Sequence, residues 1–269
     1  MATSMSRSGR RLLSAALAVA LGLCLLLMGQ FPASAILNGV LDSGRHPYVG
    51  IVFNADGFCS GSAVSPTVVV TAAHCVTAGP AEPFRVSFKE GPDGTSVGVY
   101  SGRGYRVTDF CDGCGNGLGF ASPDVAVVVL DQPVALSRYA LLPQPDIVDT
   151  LSAQQELTVV GYGANAITTG DGQPQLVVDL RKRMTTARLL SAGAIASDFI
   201  KFDSTGRSGV CFGDSGGPDL LGATDTVIAV NSFINGSNCS STAFSTRLDQ
   251  PEILAAIRDY VQASPTRTR

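Results

Sequence analysis

Ser215 lies in the run GDSGGP (213–218), between glycines and directly after an acid. Glycines let the backbone approach a substrate closely and aim amide N–H groups at a point above the serine oxygen. A serine hydroxyl is a weak nucleophile until a base takes its proton. The run therefore predicts acyl chemistry if a histidine can reach Ser215.

The chain has two histidines, His46 and His74. His74 lies in TAAHC (71–75), just after an apolar run at 68–70 that predicts a buried strand and could hold the ring rigidly. His46 precedes Pro47 in a turn signal, so we expect a solvated loop histidine there. His74 is the candidate base.

The base needs a carboxylate that orients its ring and stabilises the imidazolium. Asp124 leads six apolar residues (125–130), and a buried acid there is costly without a partner. Taken alone, Asp124 could equally be a strand-edge or turn residue after Pro123. Beside the other two motifs, we interpret it as the partner of His74.

These three motifs, in the order His, Asp, Ser, resemble those of the chymotrypsin/trypsin-like serine proteases. Smaller matches extend the resemblance over the chain after residue 35: ILNG (36–39) resembles the mature amino terminus, and GYG (161–163) a family turn. The resemblance implies a secreted, bacterial-type member. Its fold would be all-β, with two six-stranded antiparallel β-barrels, a C-terminal α-helix and the catalytic cleft between the barrels.

The resemblance also assigns roles. His74 and Asp124 would come from the first barrel and Ser215 from the second, with the N–H groups of Gly213 and Ser215 as the oxyanion hole. The freed ammonium of Ile36 would pair with Asp214 and shape that hole.

The substrate pocket follows from the same resemblance. Gly209 stands where trypsin-like members carry an acid, so small or medium apolar side chains are expected before the cleaved bond. The pocket wall is expected at Ile234, with Asn235 as the alternative. The full predicted pocket is Gly209, Val210, Ser232, Phe233, Ile234 and Ala243.

Residues 1–35 resemble an export signal: a basic start, an apolar run at 12–28 and the cleavage-type sequence ASA (33–35). Lipid attachment at Cys24, twin-arginine export and an uncleaved anchor are weaker alternatives. Cleavage after Ala35 would expose Ile36, so one cut would both export and activate the protein. The predicted domains are a barrel at 36–145 and a barrel with the helix at 146–269.

Six cysteines remain after signal removal, an even set that suggests disulfides in an oxidising compartment. The family resemblance implies the pairs Cys59–Cys75 and Cys211–Cys239. Cys111 and Cys114 depart from the family set. A local disulfide is favoured over a redox or metal role, because a zinc site needs two more ligands.

Composition limits the partners. The net charge is −3, with few basic clusters, which disfavours nucleic acid and anionic membranes after signal removal. No glycine-rich phosphate loop follows a strand and opens a helix, so a nucleotide cofactor has no support. We expect no cofactor and no metal. The expected partners are protein or peptide substrates and protein inhibitors, and the chain is expected to be a monomer. Alternative functions are a binding protein on the same scaffold and an esterase.

Short apolar or alternating runs separated by turn residues predict many strands, at 48–54, 63–71, 84–88, 105–107, 125–130, 157–161, 176–180, 227–233 and 242–247. Ile253, Leu254, Ile257, Tyr260 and Val261 recur at helical spacing after Pro251. This pattern predicts one terminal helix packed on the core.

Overall fold

The computed structural model describes residues 36–76, 82–89, 98–111, 122–170, 173–190, 198–203, 209–235, 239 and 241–263. The predicted signal segment lies outside these residues. The strands are β1 Val40–Leu41, β2 Val49–Phe53, β3 Phe58–Ala63, β4 Val68–Thr71, β5 Glu82–Ser87, β6 Val99–Arg106, β7 Ala126–Leu130, β8 Glu156–Gly161, β9 Ala166–Gly170, β10 Gln173–Val177, β11 Arg183–Arg188, β12 Phe199–Asp203, β13 Pro218–Leu221, β14 Val227–Ile234 and β15 Thr242–Arg247; helix α1 spans Pro251–Ala263. Within the described residues, no helix has both the length and the apolar character needed to cross a membrane.

Six strands form a closed antiparallel barrel in the order β2-β3-β4-β7-β6-β5. Strands β4 and β7 pair through valines, with Val68 opposite Val129 and Val70 opposite Val127. Thr71 at the end of β4 pairs with Ala126 at the start of β7. The turn after β4 and the residues before β7 therefore meet at one end of the barrel.

Seven strands form the second sheet, in the order β1-β11-β8-β13-β14-β15-β12. The sheet curls until Leu189, just after β11, forms an isolated antiparallel bridge with Phe202 of β12. The all-β class with a terminal helix is confirmed. The second half is a curled half-barrel sheet instead of the expected closed six-stranded barrel, with the short strand β1 added at one edge. At the other edge, β12 is linked to the segment after β11 by the Leu189–Phe202 bridge and by a hydrogen bond that Leu190 N–H donates to the Lys201 oxygen at 3.2 Å.

Several strands carry no clear apolar pattern. Arg183–Arg188 begins and ends with arginine, and Pro218–Leu221 begins with proline and contains Asp219, so their pairing with neighbours defines them as strands. The run at 63–71 proves to be parts of β3 and β4 separated by a bend, and β10 ends at Val177 rather than at Leu180.

Helix α1 confirms the predicted terminal helix. Ile253, Leu254 and Ile257 are buried, and Tyr260 and Val261 pack on the same core. The Tyr260 ring lies 5.4 Å from that of Tyr105 on β6. The helix thereby covers the closed barrel with its apolar face.

The expectation for His46 was wrong. Its side chain is buried, with Nδ1 against Oδ1 of the fully buried Asp42, and its backbone oxygen accepts a hydrogen bond from Lys182 Nζ at 2.8 Å. Lys182 Nζ also lies 3.9 Å from Asp42 Oδ2. The chain does turn at Pro47, as predicted. The His46 side chain can be buried there because its polar groups have hydrogen-bond partners in Asp42 and Lys182.

Both disulfides that the resemblance implies are present. Cys59 bonds Cys75, with a Cα–Cα distance of 6.4 Å, and Cys211 bonds Cys239 at 5.1 Å. Cys111 is disulfide-bonded as well. Cys114 lies outside the described residues, so its pairing with Cys111 stays a prediction.

Candidate active site

His74 and Asp124 meet at one end of the closed barrel. His74 sits in the single 3-10 turn Ala73–Cys75 that follows β4, and Asp124 stands two residues before β7. His74 Nδ1 lies 2.6 Å from Asp124 Oδ2, and the His74 backbone N–H donates to Asp124 Oδ1 at 2.8 Å. The carboxylate thus fixes both the backbone and the ring of His74, leaving Nε2 as the outward nitrogen.

Asp124 is fully buried, and burial alone would raise its pKa. Hydrogen bonds and charge interactions with His74, and a hydrogen bond that Ser232 Oγ donates to Oδ2 at 2.5 Å, outweigh that effect. The net result is a pKa below the ordinary value. Asp124 is therefore an anion, which suits it to stabilise a protonated imidazole.

The serine loop is shaped by close contacts that leave no room for side chains. Gly216 has φ +76°, and a Cβ there would lie 2.2 Å from Thr71 Oγ1 and 2.5 Å from the Ser60 oxygen. Gly213 has φ +94°, and a Cβ there would meet the Phe58 ring at 2.5 Å. These neighbours belong to the closed barrel, so the loop rests directly against it.

Ser60 ties the serine loop to the closed barrel. Its hydroxyl donates to the Gly213 oxygen at 2.9 Å and accepts from the Tyr162 N–H at 3.0 Å. Its backbone N–H donates to the Ser215 oxygen at 2.8 Å. Sequence reasoning missed Ser60, since a serine in a strand carries no pattern that indicates contacts so distant along the chain.

The N–H groups of Gly213 and Ser215 have no hydrogen-bond acceptor in the part of the chain that the structure describes. The neighbouring N–H groups do: Asp214 donates to the Cys211 oxygen, and Gly216 donates to the Asn231 oxygen at 2.7 Å. Two free donors on either side of Asp214 in one loop are suited to bind a developing oxyanion.

Asp214 is fully buried beside two glycines of the family-like turn. Its carboxylate accepts from the N–H groups of Cys211 at 2.9 Å and Gly163 at 2.8 Å. Burial raises its pKa to about 7 despite these bonds. Ile36 is also fully buried, and the next residue, Leu37, forms a backbone bridge with Gly209.

One cavity of about 370 Å³ contains the groups that could act on a substrate. It is lined by His74, Val210, Cys211, Phe212, Asp214, Ser215, Asn231, Ser232, Phe233 and Ile234. The structure therefore brings His74 and Ser215 to one cavity, with four of the predicted pocket residues. Gly209 and Ala243 are buried and are not among the residues that line it.

Phe212 and Asn231 line this cavity without having been predicted from the sequence. Phe212 directly precedes Gly213, and its side chain is 49% exposed, unusual for a large apolar residue. Phe233, one of the predicted pocket residues, stacks on Phe244 with ring centroids 4.5 Å apart. The exposure of Phe212 in the same cavity as Ser215 marks it as a candidate substrate contact. Exposure of this kind cannot be predicted from the sequence.

Cys59, His74 and Cys75 form the one cluster of three metal-type ligands in the described residues. The two sulfurs are joined in a disulfide, so neither can act as a thiolate ligand. The Cys59–Cys75 disulfide instead ties the segment that carries His74 to strand β3.

Comparison with known proteins gives a consistent result. The family model described as Trypsin matches residues 40–254. Brachyurin of Leptuca pugilator is 30% identical over 193 residues, which cover 68% of this chain and 79% of that protein. Collagenase of Hypoderma lineatum is 26% identical over 231 residues, covering 79% and 76%.

Solved structures agree on the fold. The structure titled HL collagenase has a TM-score of 0.60 at 22% identity, covering 85% of this chain and 97% of its own. Human heparin binding protein has a TM-score of 0.62 at 18% identity, covering 86% and 98%. The chain belongs to the trypsin family, whose members are chymotrypsin-like serine proteases. It is accordingly a serine-type endopeptidase by family.

Proposed function

We propose that this protein is a secreted serine endopeptidase in which Ser215, His74 and Asp124 form the catalytic triad. The observation that carries the proposal is the contact of 2.6 Å between His74 Nδ1 and the buried Asp124, with His74 lining the same cavity as Ser215. A histidine held by a buried carboxylate beside a serine is the arrangement that activates a hydroxyl.

In the proposed reaction, Ser215 Oγ attacks the carbonyl carbon of the scissile peptide while His74 Nε2 takes its proton. The N–H groups of Gly213 and Ser215 bind the resulting oxyanion. The C–N bond then breaks, His74 returns the proton to the leaving amine, and an acyl-enzyme ester remains. Water, deprotonated by His74, attacks this ester, and Ser215 regains its proton. Each oxyanion donor is typically worth about 3–4 kcal/mol of barrier.

The proposed primary pocket takes small or medium apolar side chains. Val210, Ile234 and Phe233 supply apolar surface, and Gly209 offers no carboxylate for a lysine or arginine. Kinetics with peptides that differ only in the residue before the cleaved bond test this proposal, and strong preference for arginine would overturn it.

Activation is proposed to follow from signal cleavage after Ala35, with the new ammonium of Ile36 entering beside Asp214. The burial of Ile36 and Asp214 and the Leu37–Gly209 bridge support this proposal, because they bring the segment after the cleavage point to the serine loop. A buried carboxylate and ammonium stabilise each other, whereas either alone is unfavourable by about 3–5 kcal/mol. Amino-terminal sequencing of active secreted protein should begin at Ile36.

The deciding experiment is labelling with a fluorophosphonate probe at neutral pH beside the Ser215→Ala variant. We expect rapid labelling of the natural protein and none of the variant. An unlabelled but folded natural protein would favour the alternative, a binding protein on this scaffold, a role that the name human heparin binding protein describes for a relative in fold. Comparing casein digestion with ester hydrolysis separates the endopeptidase from an esterase.

A further inference from the structure

Asp219 is a buried acid that the proposed reaction does not use. It is the second residue of β13, four positions after Ser215, and has no exposed surface. Neither carboxylate oxygen has a hydrogen-bond partner at normal geometry among the described residues. Buried polar groups are almost always paired, so an unpaired carboxyl next to the serine loop needs an explanation.

The carboxyl of Asp219 faces the interior of the second sheet. Asp219 stands opposite Val159 on β8 and Ala229 on β14, and directly opposite residues point to the same face of a sheet. Val159 packs with Val210, which lines the active-site cavity. The acid therefore lies on the face of the sheet that supports the wall of the cavity.

Two polar side chains lead from Asp219 to that cavity. The hydroxyl of Ser245 lies close enough to lower the pKa of Asp219, and it donates to Asn231 Oδ1 at 3.3 Å. Asn231 lines the cavity, and its Nδ2 donates to the Gly217 oxygen in the serine loop at 3.1 Å. The series Asp219, Ser245, Asn231 thus ends at both the cavity and the serine loop.

Burial raises the pKa of Asp219 to about 8, which the Ser245 hydroxyl only partly offsets. The charged groups on the surrounding elements have other partners or are exposed. Three ion pairs account for most of them: Glu156 with Arg188, Arg183 with Asp179, and Arg247 with Asp149 and Asp249. Lys201 lies over the Phe244 ring, Asp203 is exposed, and Asp214 accepts hydrogen bonds from two backbone N–H groups. At neutral pH the carboxyl consequently keeps its proton.

We propose that Asp219 is a positioning residue for the substrate cavity, acting as an uncharged carboxylic acid that sets the direction of the Ser245 hydroxyl and so holds the side chain of Asn231. This inference rests on the proposed function. An uncharged acid can direct its O–H toward Ser245 Oγ, and the Ser245 hydrogen then stays on Asn231 Oδ1. An ionised acid can only accept, so Ser245 turns toward Asp219 and Asn231 loses that bond.

The test is to measure kcat and KM for a peptide substrate between pH 6 and 9.5. In the natural enzyme we expect KM to rise about two- to tenfold around pH 8, the equivalent of one lost hydrogen bond, with a smaller change in kcat. Asp219→Asn keeps a donor but cannot ionise. It should match the natural KM at pH 7 and show a smaller alkaline rise, because only the loss of the Ile36 ammonium proton then remains. An alkaline rise in Asp219→Asn equal to that of the natural enzyme would overturn the inference.

Two further variants separate positioning from general stability. Ser245→Ala should show the raised KM already at pH 7, with the same reduced alkaline rise as Asp219→Asn, because the series is broken at its middle. Asp225→Asn is the matched control, since Asp225 bonds Tyr48 and Arg138 away from this cavity. We expect it to leave the alkaline KM profile unchanged.

A readout that needs no catalysis keeps the two proposals distinguishable. In the natural protein, the NMR signals of the Asn231 side-chain amide should shift with the ionisation of Asp219, and no such shift should occur in Asp219→Asn. Activity without that coupling would refute the role of Asp219 alone. Coupling in a protein that fails probe labelling would refute the proposed protease function alone.

Discussion

Two buried serines of β3, Ser60 and Ser62, differ in what their hydroxyls contact. Ser60 Oγ bonds Gly213 and Tyr162, whereas Ser62 Oγ has no partner in the described residues. Ser60→Ala should lower the free energy of unfolding by about 1–3 kcal/mol, because a carbonyl and an N–H are left unpaired. It should also lower kcat.

Ser62→Ala is the control, and we expect it to be nearly neutral in both stability and kcat. Urea unfolding and steady-state kinetics on both variants check the prediction. Equal effects of the two substitutions would show that Ser60 does not hold the serine loop.

Phe212 should contribute to substrate preference through its exposed ring at the cavity. For substrates with a medium-sized apolar side chain, such as leucine, before the cleaved bond, Phe212→Ala should reduce kcat/KM by about tenfold, from lost apolar contact. A substrate with alanine at that position should be nearly unaffected. A uniform loss across both substrates would mean that the substitution disturbs the neighbouring Gly213 instead.

For individual residues, residue type was enough to predict much of the candidate site. Only two histidines were present, and an acid before an apolar run is conspicuous, so His74 and Asp124 could be proposed without coordinates. Their contact at 2.6 Å agrees with that proposal. Ser60, Phe212 and Asp219 could not be found in this way, because their significance depends on contacts and exposure that only the folded chain defines.

Among the elements, the serine loop and the closed barrel fit closely at Gly216. Gly216→Ala would place a methyl group against Thr71 and Ser60 at a φ of +76°, so both clash and backbone strain oppose it. We expect the variant to be strongly destabilised, by several times the roughly 1 kcal/mol of backbone strain alone.

Gly222→Ala provides the comparison, because Gly222 has φ +57° but no atom within 4 Å of an added Cβ. It should show only the backbone strain. Thermal unfolding of both variants measures the difference. Similar losses of stability in the two variants would contradict close packing of the serine loop against the closed barrel.

Strand prediction succeeded where burial on both faces produced apolar runs, as in Val68–Thr71 and Ala126–Leu130. It failed for Arg183–Arg188, which alternates buried and exposed positions without apolar residues at all the buried ones. Hydrogen bonding to Glu156–Gly161 stabilises that strand, and pairing with a distant segment cannot be read from local composition.

For the whole molecule, the proposed activation predicts a pH-dependent difference between two forms of the Ser215→Ala protein. With residues still attached before Ile36, burial raises the pKa of Asp214 from 3.8 to about 7. The unfolded chain ionises this group at lower pH. Its contribution to stability is therefore complete below about pH 4 and is lost as pH rises through 7.

A form that begins at Ile36 carries an ammonium that favours the ionised carboxylate, so this loss should be smaller or absent. Urea unfolding of both forms between pH 4 and 8 should show their stabilities diverging by up to about 4 kcal/mol. Parallel curves would count against an Ile36–Asp214 ion pair.

The family resemblance predicted the all-β architecture, but it did not predict which strand forms the edge of the second sheet. Val40–Leu41 comes from the start of the chain and pairs with Arg183–Met184, far along the sequence. A two-residue strand has too short a pattern to predict, and its place depends on the sheet being formed.

The contact between Ser60 and the serine loop also has a bearing on how the chain matures. Ser60 belongs to the half of the chain that is synthesised first, and the loop that carries Ser215 belongs to the later half. The later loop therefore packs against a surface that the earlier half provides. A fragment containing only the later half would keep Ser215 but lose the support that Ser60 gives its loop, so we expect it to lack hydrolytic capacity until the earlier half is supplied. Dependence of this kind would postpone proteolysis until translation is complete.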